Sequence, residues 1–227
     1  MSNKRKSWRI IITIAHPLMK IISYLFPLFL IRGFKVVKSI LYSYYLAHFL
    51  KKFGKDSLIN YPCTFQGIKH TSVGSGVHIG KYSNIIAIDL YVAFVGGGVK
   101  KVQKFNPQII LKNGVSIGES STISTINTTI LEDNVLLGRN VTINDNSHGN
   151  NVKSSIAPDK RPLYSKGGIH IKKNVWIGDK VTILGGVTIG ENSIVGANSV
   201  VTKDIPPNCI AVGSPAKVIK MLEKFDK

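Results

Sequence analysis

The sequence predicts an all-β solenoid, a parallel β-helix of hexapeptides, with a helical extension at its N-terminus and a short helix at its C-terminus. The first observation is a period of six across residues 171–206, where an aliphatic residue opens each unit: Ile171, Ile177, Ile183, Ile189, Val195 and Val201. A small or β-branched residue follows four positions later, and glycine often takes the second position. Helices repeat at three and four residues and alternating strands at two, so neither explains this period. Three hexapeptides make one triangular coil, and we expect the glycines to permit its sharp corners.

Residues 1–55 form the predicted helical extension, in which every charged residue is basic. Apolar runs alternate with these charges, but His16, Pro17, Lys20 and Pro27 interrupt the run that comes nearest to the length of a bilayer span. Broken apolar helices with basic flanks are typical of a membrane surface, so we expect peripheral contact with an anionic membrane. Two alternatives stay open: the helices pack on the solenoid and shield its edge, or they span a bilayer.

Composition limits the partners and the compartment. The 227 residues carry a formal net charge of +18, which favours an acidic partner such as a phosphorylated cofactor, an anionic polysaccharide or lipid headgroups. Nucleic acid would also suit the charge, but no recognised nucleic-acid motif is present. Cys63 and Cys209 stand alone and predict reduced, buried thiols in a cytoplasmic protein. The basic and apolar N-terminus is not followed by a small-residue cleavage site, which argues against secretion.

Residues 56–206 form the predicted solenoid domain, although the period weakens in its first half. Aliphatic residues again lie six apart in three runs: Val73, Ile79 and Ile85; Leu111, Ile117 and Ile123; and Leu131, Leu137 and Ile143. The step from the second run to the third is longer than six, so we expect a small insertion near residues 125–129. Residues 91–105 fit no register and predict an irregular loop around the glycines at 96–98. Those glycines lack the closing Gly-Lys-Ser/Thr of a phosphate-binding P-loop.

The period stops after Ile143, and residues 144–170 predict an inserted loop. This segment is polar, basic and rich in Gly and Pro, and a long loop leaving a compact solenoid is usually functional. His148 follows Ile143 by only five residues, so its imidazole should lie close to the solenoid wall. On sequence context alone, His148 is equally explained as a solvated loop residue.

Residues 207–227 form the predicted C-terminal tail and helix. Ser214, Pro215 and Ala216 have the order expected of an N-cap, a first helical residue and the start of a helix. Lys217 and Lys220 would then share one helical face.

The repeats and their flanking phrases resemble one family. Between residues 131 and 220 the phrases LEDNVLLGRNVTI, NVWIGDKVTILGGVTIGENSIVGANSVVTKDIPPN and VGSPAKVIK resemble the hexapeptide-repeat acyltransferases, in particular the galactoside and maltose acetyltransferases and relatives that acetylate surface polysaccharides. The resemblance implies a left-handed β-helix, an exception to the usual right-handed crossover. It also implies a homotrimer with active sites between neighbouring subunits. Residues 1–55 lie outside the resemblance.

The resemblance further implies a set of site residues. In the family, a His five residues after an aliphatic opener is the general base, and His148 matches it; an imidazole with a pKa of about 6.5 can take the proton of a sugar hydroxyl. Asp145 or the backbone is expected to fix the tautomer of His148. The residues implied for acetyl-CoA binding are Ala197, Thr202, Lys203, Lys217, Lys220 and Trp176. Trp176 lines the pantetheine or acceptor cleft, or else is an aromatic residue at a solenoid corner.

This chain departs from the family's pattern in two places. The two lysines stand where the galactoside enzymes have Arg, so point charges replace bidentate phosphate contacts. Asp179 stands where those enzymes have a Ser assigned to the thioester or oxyanion, and its negative charge would oppose an oxyanion. A backbone N–H is therefore the expected oxyanion donor.

The predicted function is an acetyl-CoA-dependent O-acetyltransferase acting on a sugar hydroxyl, in surface-polysaccharide biosynthesis at the cytoplasmic face of a membrane. An N-acyltransferase of the same fold, acting on an amino sugar or an antibiotic, is the alternative. A γ-class carbonic anhydrase would need three convergent histidines for zinc, and the sequence has no such pattern, so no metal is expected. The residues do not identify the acceptor.

Overall fold

The structure is a computed structural model, and it describes residues 13, 15, 17, 20, 28–94, 100–149 and 156–223. Its first continuous element is helix α1, Leu28–Ala47, within the predicted helical extension. The other four described positions before it are also helical. In the described part of the chain, no helix is both long and apolar enough to cross a membrane.

Three sheets follow and form the walls of a β-helix, and their strands are parallel except for the last strand of the second sheet. The first sheet contains, in spatial order, β1 (Lys52–Phe53), β4 (Thr71–Val73), β9 (Gln108–Leu111), β12 (Thr128–Leu131), β17 (Ile169–Ile171) and β20 (Thr188–Ile189). The second contains β2 (Leu58–Ile59), β5 (His78–Ile79), β10 (Ser116–Ile117), β13 (Leu136–Leu137), β18 (Trp176–Ile177), β21 (Ile194–Val195), β23 (Cys209–Gly213) and β24 (Ala216–Met221). The third contains β3 (Thr64–Gln66), β6 (Asn84–Ala87), β11 (Thr122–Thr125), β14 (Thr142–Asn144), β19 (Thr182–Leu184) and β22 (Val200–Val201). The predicted left-handed β-helix is confirmed, and its first strand already begins at Lys52, ahead of residue 56.

The interior is the stack of hexapeptide openers that the period predicts. In the second sheet, aligned residues of successive coils are all buried: Ile59, Ile79, Ile117, Leu137, Ile177, Val195 and Ala211. Similar columns run through the first sheet from Val73 to Ile189 and through the third from Ile85 to Val201. Each two- to four-residue strand contributes one or two inward side chains, so the core exists only because the coils stack.

The prediction that glycine permits the sharp turns at the corners applies to only some of the coils. At the corner between the first and second sheets, the left-handed backbone belongs to glycine in two early coils, at Gly76 and Gly114. In later coils it belongs to asparagines whose side chains hydrogen-bond in a ladder: Asn134, Asn174, Asn192 and Asn208. Gly178 has no positive φ; a Cβ there would lie 2.6 Å from the backbone nitrogen of Ala197 in the next coil. Either Gly or Asn thus supplies the turn at this corner, whereas a second-position glycine such as Gly178 allows the close approach of stacked coils.

The predicted C-terminal helix is wrong for the described residues. Ala216–Met221 is a strand, β24, which pairs antiparallel with β23 at the edge of the second sheet. Because β23 would otherwise leave its backbone groups unpaired, this hairpin satisfies them, and the β-branched Val218 and Ile219 suit a strand. Ser214 and Pro215 of the predicted helix start instead form the turn between the two strands, and Ala216 begins β24.

Two segments leave the solenoid, both from the corner between the third and first sheets. Residues 91–105, predicted to be irregular, include most of an antiparallel hairpin of β7 (Leu90–Phe94) and β8 (Lys100–Lys104); the glycines at 96–98 lie outside the described residues. The predicted loop 144–170 carries a second antiparallel pair, β15 (Ser147–His148) and β16 (Leu163–Tyr164), and re-enters the first sheet at Ile169. Short 3₁₀ helices span Ile68–His70 and Pro158–Lys160.

The two cysteines are not bonded to each other. Cys209 is buried, and Cys63 is half-buried with its thiol donating to the carbonyl oxygens of Asn60 and Gly80. Burial raises the pKa of the Cys63 thiol to about 11, so it is a poor nucleophile at neutral pH.

Candidate functional site

His148 lies where the two excursions from the solenoid meet. It ends β15, directly beyond the third-sheet strand β14, and its backbone is paired with Leu163 of β16. The side chain is exposed. The predicted position beside the solenoid wall is therefore what the structure shows, and it results from a short antiparallel pairing that the sequence did not predict.

Tyr91, on the other excursion, contacts the imidazole of His148. The two ring centroids are 6.0 Å apart, and Tyr91 Oη lies 3.4 Å from His148 Nδ1. The Tyr91 hydroxyl donates its only proton to the carbonyl oxygen of Asp159, at 2.7 Å. Towards His148 the oxygen can then only accept, so Nδ1 carries the proton and Nε2 keeps a free lone pair. This tautomer is the one that a general base needs at Nε2.

Gln103 fixes the second excursion to the first. Its side-chain amide donates to the carbonyl oxygen of Leu163 at 3.0 Å, and its Oε1 accepts from the backbone nitrogen of the same residue at 2.8 Å. Leu163 of β16 is the backbone partner of His148. Gln103 therefore links hairpin β7–β8 to the strand that positions His148. Sequence reasoning missed both Tyr91 and Gln103, and the only available signal was the apolar character of residues 90–94 next to an unassigned segment.

Asp145 does not hold His148 in this structure. Its buried carboxylate accepts hydrogen bonds from the hydroxyl of Thr125 and from the backbone nitrogens of Ile126, at 2.8 Å, and Asn127, at 3.0 Å. These donors form the corner where a small insertion was predicted near residues 125–129. Asp145 therefore stabilises the wall from which the His148 loop departs.

The residues predicted to bind acetyl-CoA fall into two places. Trp176, about half exposed, lies in the second sheet, between Leu136 and Ile194 in the neighbouring strands. Lys217 and Lys220 are exposed on β24 of the same sheet. A β-bulge aligns them with residues two apart on β23, Val212 and Ile210, so they share one face although the predicted helix is absent.

The remaining predicted residues lie at the corners. Ala197 is exposed just after β21, at the corner between the second and third sheets. Thr202 and Lys203 are exposed after β22, at the corner from which the His148 loop also leaves, two coils further along the solenoid. At the usual spacing of neighbouring strands, two coils correspond to about 10 Å along the axis.

Within one chain, these groups do not form a single cleft. His148 lies beyond the corner of the third and first sheets, whereas Trp176 and the two lysines lie on the second sheet, a different side of the triangular cross-section. Asp179 is exposed at its corner, and its Oδ1 accepts from the backbone nitrogen of Arg139 at 2.8 Å, a structural contact between coils.

A cavity of about 680 Å³ on the solenoid is lined by none of the predicted site residues. Glu132 on its wall accepts from His170 Nε2 at 2.7 Å. Burial acts to raise the pKa of the Glu132 carboxyl, but the His170 hydrogen bond and the charges of Lys112 and Lys172 outweigh it and hold that pKa below its usual value. His70 pairs with Asp89 at 3.2 Å and His78 lies 2.7 Å from Asn60 Nδ2, so each of these histidines has a polar partner. In the described ranges no cluster of three or more His, Cys, Asp or Glu residues is arranged to hold a metal.

Comparison with known proteins finds a family whose repeats match part of this chain. Residues 168–203 match the bacterial transferase hexapeptide family, described as six repeats. Galactoside O-acetyltransferase of Escherichia coli K12 is 43% identical over 105 residues, which cover 44% of this chain and 47% of that protein. The matches to the curated relatives thus span less than half of those proteins' length.

Solved structures extend the likeness over most of the chain. The N-acyltransferase AntD from Bacillus cereus, in complex with dTDP and 3-hydroxybutyryl-CoA, superposes with a TM-score of 0.61 at 18% identity, covering 78% of this chain and 86% of AntD. A maltose O-acetyltransferase from Clostridium difficile 630 gives a TM-score of 0.52 at 26% identity, covering 79% of this chain and 73% of that one. Together with the fold and the repeats, these relatives confirm the predicted resemblance of the repeat region to the hexapeptide-repeat, left-handed β-helix acyltransferases.

Proposed function

We propose that this protein is an acetyl-CoA-dependent O-acetyltransferase that acts on a sugar hydroxyl, with His148 as its general base. The observation that carries the proposal is the contact between Tyr91 Oη and His148 Nδ1, which leaves Nε2 as a free proton acceptor at an exposed position. The galactoside O-acetyltransferase relative supports the choice of a sugar hydroxyl. A surface polysaccharide precursor is the acceptor class that we favour.

The chemistry is a direct transfer in a ternary complex. Nε2 of His148 takes the proton of the acceptor hydroxyl while the oxygen attacks the thioester carbonyl, because an unactivated hydroxyl is a weak nucleophile at neutral pH. The tetrahedral oxyanion then collapses, the C–S bond breaks, and the imidazolium returns its proton to the departing CoA sulfur. The products are the O-acetylated sugar and CoA. No covalent enzyme intermediate is needed, and a backbone N–H stabilises the oxyanion.

The second-sheet surface fits the donor. Trp176 offers an exposed apolar face for the pantetheine arm, while Lys217 and Lys220 place two positive charges on one face for the CoA phosphates. Since His148 lies on another side of the cross-section, a neighbouring copy is the natural way to bring donor and base together. A homotrimer with sites between subunits meets this requirement.

A second candidate is an N-acyltransferase, which the likeness to AntD favours. The test supplies acetyl-CoA with matched pairs of acceptors, each differing only in a hydroxyl or an amine, and locates the new acetyl group by mass spectrometry and NMR. We expect an O-acetyl ester and at most slow reaction with the amine. Exclusive amide formation would replace our proposal with the N-acyl one.

The role of the two lysines is tested by reversing their charges. We expect Lys217→Glu combined with Lys220→Glu to raise the KM for acetyl-CoA much more than the KM for the acceptor, because negative charge on this face repels the CoA phosphates. The comparison donor is a short acetyl-pantetheine thioester, which has no nucleotide phosphates and should be affected little. Equal losses with both donors would show that the lysines do not bind the phosphates.

A further inference from the structure

Helix α1 is fixed to the solenoid by one face. Ser39 and Ser43 are buried there, and the hydroxyl of Tyr42 donates to the carbonyl oxygen of Cys63 at 2.6 Å. Ser43 Oγ also accepts from the backbone nitrogen of Ile59 at 2.8 Å. These contacts set the rotation of the helix, so its opposite face points away from the protein in a defined direction.

The opposite face is apolar and exposed. Phe34, Val37, Leu41, Tyr44 and Tyr45 lie at spacings of three and four, which places them on one side of a helix. Phe34, Leu41 and Tyr44 are each at least 66% exposed. Single exposed apolar residues are ordinary, but a continuous stripe of large ones indicates a partner surface.

Basic side chains without a carboxylate partner among the described residues lie between this stripe and the solenoid. Lys35 and Lys38 line a cavity of about 530 Å³ between α1 and the solenoid, and Lys38 Nζ lies 3.7 Å from the centre of the Tyr61 ring. The carboxylate on the cavity wall, Glu119, pairs with Lys81 at 3.6 Å. Over residues 28–94, 100–149 and 156–223, no carboxylate forms an ion pair with either lysine of α1.

We propose that the free face of α1 docks on an anionic lipid bilayer, with Lys35 and Lys38 contacting lipid phosphates at the mouth of this cavity. The apolar stripe enters the interface and the adjacent cations bind the headgroups, a combination that lipid offers and a purely charged partner does not. A second copy of the chain is a poorer occupant, because two such faces would bring like charges together with no acidic residue on α1 to offset them. This proposal does not depend on the proposed acetyl transfer.

Liposome co-sedimentation with the full chain tests this proposal. We expect binding to rise with phosphatidylglycerol content in phosphatidylcholine vesicles, and to weaken at high salt without disappearing. Lys35→Glu with Lys38→Glu should lower the affinity by about 30-fold or more, at the usual contribution of basic residues near an anionic surface. Phe34→Gln with Leu41→Gln should lower it by at least about tenfold, since Gln keeps helix propensity but removes apolar contact.

The matched control is Lys101→Glu with Lys104→Glu, which changes the net charge equally on the exposed strand β8 and should leave binding near that of the native chain. Equal losses in the control and in the α1 lysine pair would overturn the proposal, as would no binding to anionic vesicles at low salt. A fall in solution mass on Phe34→Gln/Leu41→Gln without any lipid binding would assign the face to a second copy. If inorganic phosphate raised the melting temperature of the protein and no vesicles were bound, the cavity would be a site for free phosphate and not for lipid. If the double variant Phe34→Gln/Leu41→Gln loses the native circular dichroism spectrum, the test is repeated with Leu41→Gln alone.

Discussion

His148→Ala is expected to lower kcat by about a hundredfold or more while acetyl-CoA binding is retained. The side chain is exposed and contacts Tyr91, so its removal leaves no unfilled core space. The loss therefore reports on chemistry and not on folding. Turnover is measured at saturating concentrations of both substrates, and acetyl-CoA affinity by calorimetry. His170→Gln is the matched control, because Gln can still donate to Glu132 and His170 has no place in the proposed site.

A conservative change at Tyr91 separates the base from its support. Tyr91→Phe keeps the ring beside His148 but removes the oxygen that accepts from Nδ1. We expect a smaller fall in kcat than for His148→Ala, together with unchanged KM values. Near-normal turnover by His148→Ala would remove His148 from the mechanism whatever Tyr91→Phe does.

Asp145→Ala is expected to destabilise the fold by about 3 kcal/mol or more. The carboxylate is only 2% exposed and accepts from one hydroxyl and two backbone nitrogens, and each buried donor left unsatisfied costs about 1–3 kcal/mol. The free energy of unfolding is measured by denaturant titration at a fixed protein concentration, since self-association would make it concentration-dependent.

Glu223→Ala is the control for this loss of a carboxylate. Glu223 is exposed near the end of the described chain, and surface substitutions of this kind usually change stability by less than about 0.5 kcal/mol. If Asp145→Ala were equally mild, the corner at residues 125–127 would be held by the stacking of coils and not by the carboxylate.

The solenoid could be predicted because its information is local and repeated. One aliphatic residue in six must face inward in every coil, so Ile117, Leu137 and Ile177 carry the pattern openly and the structure stacks them in register. The position of His148 followed from the same register, since it is counted from Ile143. A short period thus determines both the wall and the residues attached directly to it.

The supports of the candidate site depend on contacts between distant parts of the chain, which no local pattern contains. Tyr91 and Gln103 reach His148 and Leu163 from 57 and 60 residues away. The prediction of a C-terminal helix was wrong for a related reason. Its capping residues favour a helix, but the open edge of β23 offers backbone hydrogen-bond partners that a helix would leave unused. Asn at the corners was visible in the sequence, yet only its positive φ in the structure reveals what it does there.

The different coverings of the two ends of the solenoid restrict how copies of this chain can join. A bare parallel β-helix would present unpaired strands at both ends, and one molecule could continue the coil of the next into a fibre. Here Leu46 and Leu50 pack into the core beside the first coil, while hairpin β23–β24 turns back across the last strand of the second sheet. The first coil and strand β23 are therefore not free to continue the coil of another molecule, and we expect any association of copies to use the sides of the solenoid instead.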